Sequence, residues 1–156
     1  MGPMKTWSRD SLQEPLLGLT GYVLRRASSA ALAEFSQRLA PLDLRPIDAT
    51  LLILLDAAPQ VTHSEVAETL GLRRPNLVPV VMGLEKRGLL ERTRVDFRSE
   101  GLALTQQGRA LLSKARRIIA LHEQQLIERV PAQLRPMVLP ILMALWGSGD
   151  DAPSDQ

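Results

Sequence analysis

The chain has 156 residues, 45% of them hydrophobic, with no cysteine and a formal net charge of +2. That is enough apolar material for one ordinary core but short for two independent domains, and the missing thiols exclude disulfides, thiolate metal ligands and a cysteine-based oxidant sensor. Only His63 and His122 supply imidazole, with no HxxxH or HExxH pattern, and no apolar run reaches the roughly 18–20 residues of a membrane span; a soluble cytoplasmic chain without metal or cofactor is expected.

In chain order, Leu12, Leu16, Leu19, Val23, Ala27, Ala31, Phe35 and Leu39 recur every three or four residues, which predicts one long helix from about Leu12 to Leu39. Gly18 and Gly21 weaken it intrinsically, by about 1 kcal/mol each relative to alanine, and are small enough for a close helix crossing. Pro41 ends the segment, and Pro46 suits the first turn of a helix running through Asp56.

After Pro59, Thr62 and Glu65 have the spacing of a capping box for a short helix with an apolar face of Val66, Ala67 and Leu70. Gly71 makes the turn into a second short helix whose inner face is Leu77, Val80, Val81 and Leu84 and which ends near Gly88. Pro75 and Pro79 favour a late or irregular start to that helix, because a proline at the third helical position costs no intrahelical donor. Leu89 to Val95 and Gly101 to Leu104 read as a two-stranded hairpin around VDFRSEG, and such a hairpin must pack on the helices to persist in water. Thr105 caps a long helix to about Val130, and a last helix runs from Pro131 to Trp146 with a bend at Pro140. The tail after Gly147 has three acids and no base, and reads as disordered.

Two short helices joined by a tight turn and followed by a basic hairpin make a winged helix-turn-helix, the order of a nucleic-acid reader. From Arg73 through Arg98 stand seven bases (Arg73, Arg74, Lys86, Arg87, Arg92, Arg94 and Arg98) against three acids (Glu85, Glu91 and Asp96), so the local surplus is twice the whole-chain charge. Arg73, Arg74 and Asn76 stand at the entrance of the second helix, where arginine suits guanine and asparagine suits adenine, and Val78 can meet a thymine methyl. The plainer alternatives are a solvated helix start for the two arginines and a helix cap for Asn76. Arg92, Arg94 and Arg98 on the hairpin are candidates for phosphate or minor-groove contact, with Asp96 pairing to Arg94 or Arg98 to shape the turn. No Ser/His/Asp arrangement or phosphate-cradling glycine loop stands in the chain, so catalysis is not expected. The rival reading is a winged-helix protein-interaction module with weak or non-specific DNA binding.

The segments SEVAETLGL, GLEKRGLLER and VDFRSEGLALTQQGRALL, with the two helices after them, resemble the MarR family of transcriptional regulators over about Leu16 to Trp146. The resemblance implies a mainly α fold with a small β-hairpin wing, dimerising through its N- and C-terminal helices. It divides the chain into a dimerisation region (12–40 and 106–146), a winged helix-turn-helix DNA-binding region (46–105) and a tail (147–156). It further implies a homodimer on double-stranded, pseudopalindromic operator DNA, repressing nearby genes. Asp96, Arg98 and Ser99 match the family's D-x-R-S wing signature, which makes Arg98 the minor-groove reader and Asp96 and Ser99 its orienting partners. Phe97 and Leu77-Val78-Pro79 depart from the family, standing where a second wing base and a more polar recognition face are usual. Relatives of this kind bind a small aromatic carboxylate, a phenol or another hydrophobic anion between the dimerisation helices and the reader. Here Trp7, Tyr22, Arg25, Arg26 and Phe35 are the candidates for that contact, and packing or surface roles are the alternative.

Overall fold

Proline and glycine decide where the first helix begins. The computed structural model describes residues 12–94 and 100–147; the expected disordered tail and the tip of the wing lie outside the described residues. Glu14–Leu16 form a single 3-10 turn around Pro15, Leu19 is extended (φ −94°, ψ 106°), and helix α1 runs from Thr20 to Leu39. The continuous helix expected from Leu12 is therefore corrected: Pro15 has no N–H for a helical ladder, and the backbone straightens after Gly18. The close crossing expected at Gly18 and Gly21 is also not made within the chain, since nothing described lies within 4 Å of a Cβ built on either.

Helix α2 spans Pro46–Ala57, with Pro46 in its first turn as expected. The backbone N–H of Arg45 donates to the Asp48 carboxylate at 2.8 Å, and the Arg45 guanidinium grips both carboxylate oxygens at 2.9 and 2.7 Å. Asp48 is 3% exposed; a buried carboxylate is tolerated because it is paired and fully bonded. Asp48 in turn raises the Arg45 guanidinium further above its ordinary range.

Strand β1 (Val61–Thr62) leads into α3 (His63–Thr69), and Gly71, at φ +61°, turns the chain into α4 (Arg74–Lys86). Strands β2 (Leu90–Arg94) and β3 (Glu100–Leu104) make the hairpin, followed by α5 (Gln106–Glu128). The sheet has three strands in the order β1-β3-β2, all antiparallel, with Val61 opposite Leu102 and Leu90 opposite Leu104. The third strand corrects the two-stranded expectation and adds a second partner to β3.

The last segment is also corrected. It is a 3-10 stretch, Ala132–Met137, followed by α6, Val138–Trp146. Pro136 falls inside the 3-10 stretch, and Pro140 is the third residue of α6, where no intrahelical donor is needed.

The core gathers around α2: Leu51, Leu52 and Leu55 meet Leu39, Val66, Leu77, Val81, Leu84, Leu102 and Leu112, all fully buried. The terminal segments are the reverse. In α6, Leu139, Ile141, Leu142, Met143, Leu145 and Trp146 are all exposed, Trp146 to 84%, and on α1 Val23, Leu24 and Leu32 are exposed as well.

At Gly108 two backbone segments approach closely. Thr105 caps α5 by accepting the Gly108 N–H at 3.0 Å, while its hydroxyl donates to the Gly88 carbonyl at 2.6 Å. A Cβ built on Gly108 would stand 2.1 Å from the Leu89 carbonyl oxygen, a backbone atom that cannot rotate away. Gly108→Ala is therefore expected to destabilise the fold by about 2 kcal/mol. Gly83, inside α4 with nothing within 4 Å of its built Cβ, is the control: Gly83→Ala should stabilise by up to about 1 kcal/mol through helix propensity. Urea unfolding at one protein concentration reads both, and a Gly108→Ala midpoint equal to the parent's would contradict the packing described.

Candidate nucleic-acid interface

The reader is built from α3, α4 and the hairpin. Thr62 accepts the Glu65 N–H at 3.3 Å, and the Glu65 carboxylate accepts both the backbone N–H and the hydroxyl of Thr62 at 2.8 Å, so the expected capping box is present. Those bonds hold the Glu65 carboxyl below its usual range.

Helix α4 does not start late. Its N-cap is Arg73 (ψ 140°), whose carbonyl accepts from both Asn76 N–H (2.9 Å) and Leu77 N–H (3.3 Å). The cap reading of Asn76 is thereby corrected. The reason is packing: Leu77 is fully buried and shares one face with Val81 and Leu84, so the first turn must already be formed to aim it inward. Pro79 is accommodated inside the helix, at the cost of the bond it would give to the Pro75 carbonyl, and it is exposed.

The outward ridge of α4 is Arg74, Val78 and Met82, four residues apart, flanked by exposed Pro75, Asn76 and Pro79. Val78 is 44% and Met82 58% exposed. Met82 escaped the sequence reading; its place one turn beyond Val78 was the available signal. Arg73 is exposed, whereas Arg74 donates to Ser64 Oγ at 2.6 Å and ties α4 to the first turn of α3. Arg87 is drawn away from this face, donating to the carbonyls of Asp43 (2.6 Å) and Leu42 (3.3 Å).

On the hairpin, Arg92 gives Nε and Nη2 to the two oxygens of Glu85 at 2.7 and 3.2 Å and Nη1 to Glu100 at 3.2 Å. Arg94 is exposed and stands in register with Glu100. Asp96, Arg98 and Ser99, with Phe97, lie outside the described residues, as does Trp7. His63, the first residue of α3, is pushed below the ordinary 6.5 by burial first and by Arg92 next.

Of the four described residues nominated for an effector, Phe35 lies apart from the other three. Arg25 lies over the Tyr22 ring at 5.5 Å, and Arg26 is exposed on the same helix. Phe35 is about 20 Å further along α1 at the helical rise and stacks on the buried His122 of α5, with centroids 5.0 Å apart and planes 12° apart. An open apolar groove of about 390 Å³ is lined instead by Leu17, Gly18, Thr20, Val23, Leu24, Ala27 and Leu145. Among the described residues, no cluster of His, Asp and Glu is placed to hold a metal ion, and no helix is long and apolar enough to cross a membrane.

Comparison with family models and with curated proteins gave no match. Solved structures match well. A transcriptional repressor, CouR, bound to a 23-mer DNA duplex is 39% identical, with a TM-score of 0.81 over 86% of this chain and 97% of that one. CouR bound to p-coumaroyl-CoA is 40% identical, with a TM-score of 0.77 over 83% and 92%. A MarR-family regulator from Rhodococcus sp. RHA1 is 28% identical, with a TM-score of 0.73 over 80% and 91%.

The depressed basicity of His63 sets a sign. As pH falls below 6.5, the unfolded chain takes up the proton before the folded chain does, so His63 withdraws stability between 6.5 and its folded value and does nothing at higher pH. An NMR titration of the imidazole should give a midpoint below 6.5; a midpoint at or above it would refute the packing and charge placement described around this ring.

Proposed function

Because this chain belongs to the MarR family of DNA-binding transcriptional regulators, we propose that it is a homodimeric repressor whose hold on operator DNA is released by an aromatic acyl-CoA thioester. The observation that carries the DNA half is the α4 ridge and an arginine-bearing wing on one reader, in a chain 39% identical to a repressor whose structure holds a DNA duplex. In this reading Arg73, Asn76 and Val78 face the major groove, Arg94 meets phosphate, and Arg98, set by Asp96 and Ser99, enters the minor groove. The dimer is joined through α1, the end of α5 and α6, whose exposed apolar side chains need a second surface. Two readers then meet half-sites about 34 Å apart.

The effector class is supported by the 40% identical repressor that carries p-coumaroyl-CoA. The apolar groove beside Val23, Leu24 and Leu145 suits an aryl group, and Arg25 or Arg26 suits its anionic portion. A ligand that prefers one spacing of the readers shifts the population away from the DNA-competent dimer.

Selection of bound fragments from genomic DNA should return a pseudopalindrome, bound more weakly as salt rises and much more tightly than unrelated duplex. Equal, weak binding to both would favour the protein-interaction reading. On the selected operator, p-coumaroyl-CoA should reduce affinity at least tenfold, while coumaric acid and CoA given separately should do little; no response to any of the three would remove this effector class. Arg98→Ala should weaken operator binding at least tenfold with the dimer intact by sedimentation, and parent-like binding would remove Arg98 from the contact.

A further inference from the structure

Arg92 sits in the middle of β2, opposite Leu102 of β3, and its side chain is 46% exposed. An exposed arginine on a wing invites the phosphate reading. Its hydrogen bonds point elsewhere: a bidentate fork holds Glu85, in the last turns of α4, and the remaining terminal nitrogen holds Glu100 on β3. Glu85 is only 22% exposed on its side chain, so the better-formed pair is also the drier one. One guanidinium thus joins the helix that presents the base-facing ridge to both strands of the wing.

The charge balance agrees with a brace. Arg92, Glu85 and Glu100 sum to one negative charge, and freeing Arg92 for DNA would leave Glu85 without its partner beside the duplex, while Glu100 would keep Arg94 opposite it in register. His63 stands close enough for Arg92, Glu85, Arg74 and Glu100 all to act on it, and the first-ranked influence on it, burial, disfavours its cation. It therefore adds no compensating charge near neutral pH.

We propose that Arg92 is a positioning residue that fixes the wing against the recognition helix through Glu85 and Glu100, so that helix and wing reach their two grooves in register. The proposal rests on the DNA-binding reading above. It differs from a phosphate role in the sign of one measurement. Neutralising Glu85 removes a negative charge next to DNA, which strengthens binding if Arg92 touches phosphate. It weakens binding if Glu85 is the anchor of a brace.

The test uses the full-length dimer on its own selected operator, with parent binding measured first so that the DNA reading stands or falls separately. Arg92→Gln and Glu85→Gln should each cost about five- to tenfold in operator affinity. The double variant should cost no more than either single one, and the slope of log affinity against log salt should stay at the parent value. Arg92→Lys, which keeps the charge and loses the fork, should behave as Arg92→Gln does and guards against a misfolded variant. Amide hydrogen exchange without DNA should quicken across β2 and β3 equally in Arg92→Gln and Glu85→Gln. A salt slope smaller by about one per protomer in Arg92→Gln, with tighter binding by Glu85→Gln, would overturn the proposal in favour of a phosphate contact. Parent-like affinity and exchange in both would overturn it in favour of an idle surface pair.

Discussion

At Gly108 the first turn of α5 rests against the backbone of Leu89 with no room for a side chain between them. Four segments meet there. Gly88, in the left-handed region at φ +69°, ends α4; Leu89 opens β2; Thr105 closes β3; and the α5 ladder starts from the Thr105 cap. The Thr105 N–H also donates to the Leu89 carbonyl at 3.2 Å. The recognition helix, the wing and the long helix that leaves the reader thus meet at one backbone crossing. In the proposed effector response, that crossing is the place where a shift of α5 would reach α4 and the hairpin together.

At the other end of α5 the polar and ring contacts with α1 are Glu34 with Arg129, Arg38 with Gln125, and the Phe35–His122 stack, and Phe35, Leu39, Ile118 and Ile119 pack in or against the hydrophobic core. Arg129 holds the Glu34 carboxyl below its usual range, but both side chains reach solvent and such a pair contributes little stability by itself. Past Glu128 the described chain buries almost nothing of its own, while α6 presents a nearly continuous apolar surface. The contrast between a core closed around α2 and ends left open is the physical mark of a protomer that finishes its packing against a second copy. The groove beside Leu24 and Leu145 lies in that open region.

The parts of the fold legible in the sequence were those that local chemistry decides. Thr62 and Glu65 formed their box, Thr105 capped α5, and Leu77, Val80, Val81 and Leu84 faced inward because periodicity and capping are properties of neighbouring residues. What was misread turned on prolines weighed one at a time. Pro15 was passed over within an apolar stripe, Pro136 was missed while Pro140 was given its bend, and Pro75 with Pro79 postponed a helix that buried Leu77 compels to start earlier. Strand β1, two residues long, carries no periodicity to read and exists only because β3 offers it partners, with Gln60 at φ +71° steering the chain onto Leu102. Convergence of the effector candidates was beyond reach for a similar reason: Tyr22 and Phe35 share a helix and a chemistry but not a neighbourhood.

Charge shows most plainly how folding revises a count of residues. The seven bases from Arg73 to Arg98 look alike in sequence, yet Arg74 is committed to Ser64, Arg87 to the carbonyls of Leu42 and Asp43, and Arg92 to Glu85 and Glu100. The charges of Arg74 and Arg87 still add to the local field, but each of these three guanidiniums has a hydrogen-bond partner within the protein. In the proposed reading, an apolar ridge of Val78 and Met82 on α4 confines direct hydrogen-bond readout to the helix entrance and gives methyl contacts and groove shape a larger share. A reader of this composition depends more than a polar one on being held at the right distance and angle, because an apolar contact fades within an ångström or so of misplacement while a charge acts over several. With the proposed brace at Arg92, the internal arginines and the apolar ridge belong together: positive charge would set the geometry in which weakly polar contacts discriminate.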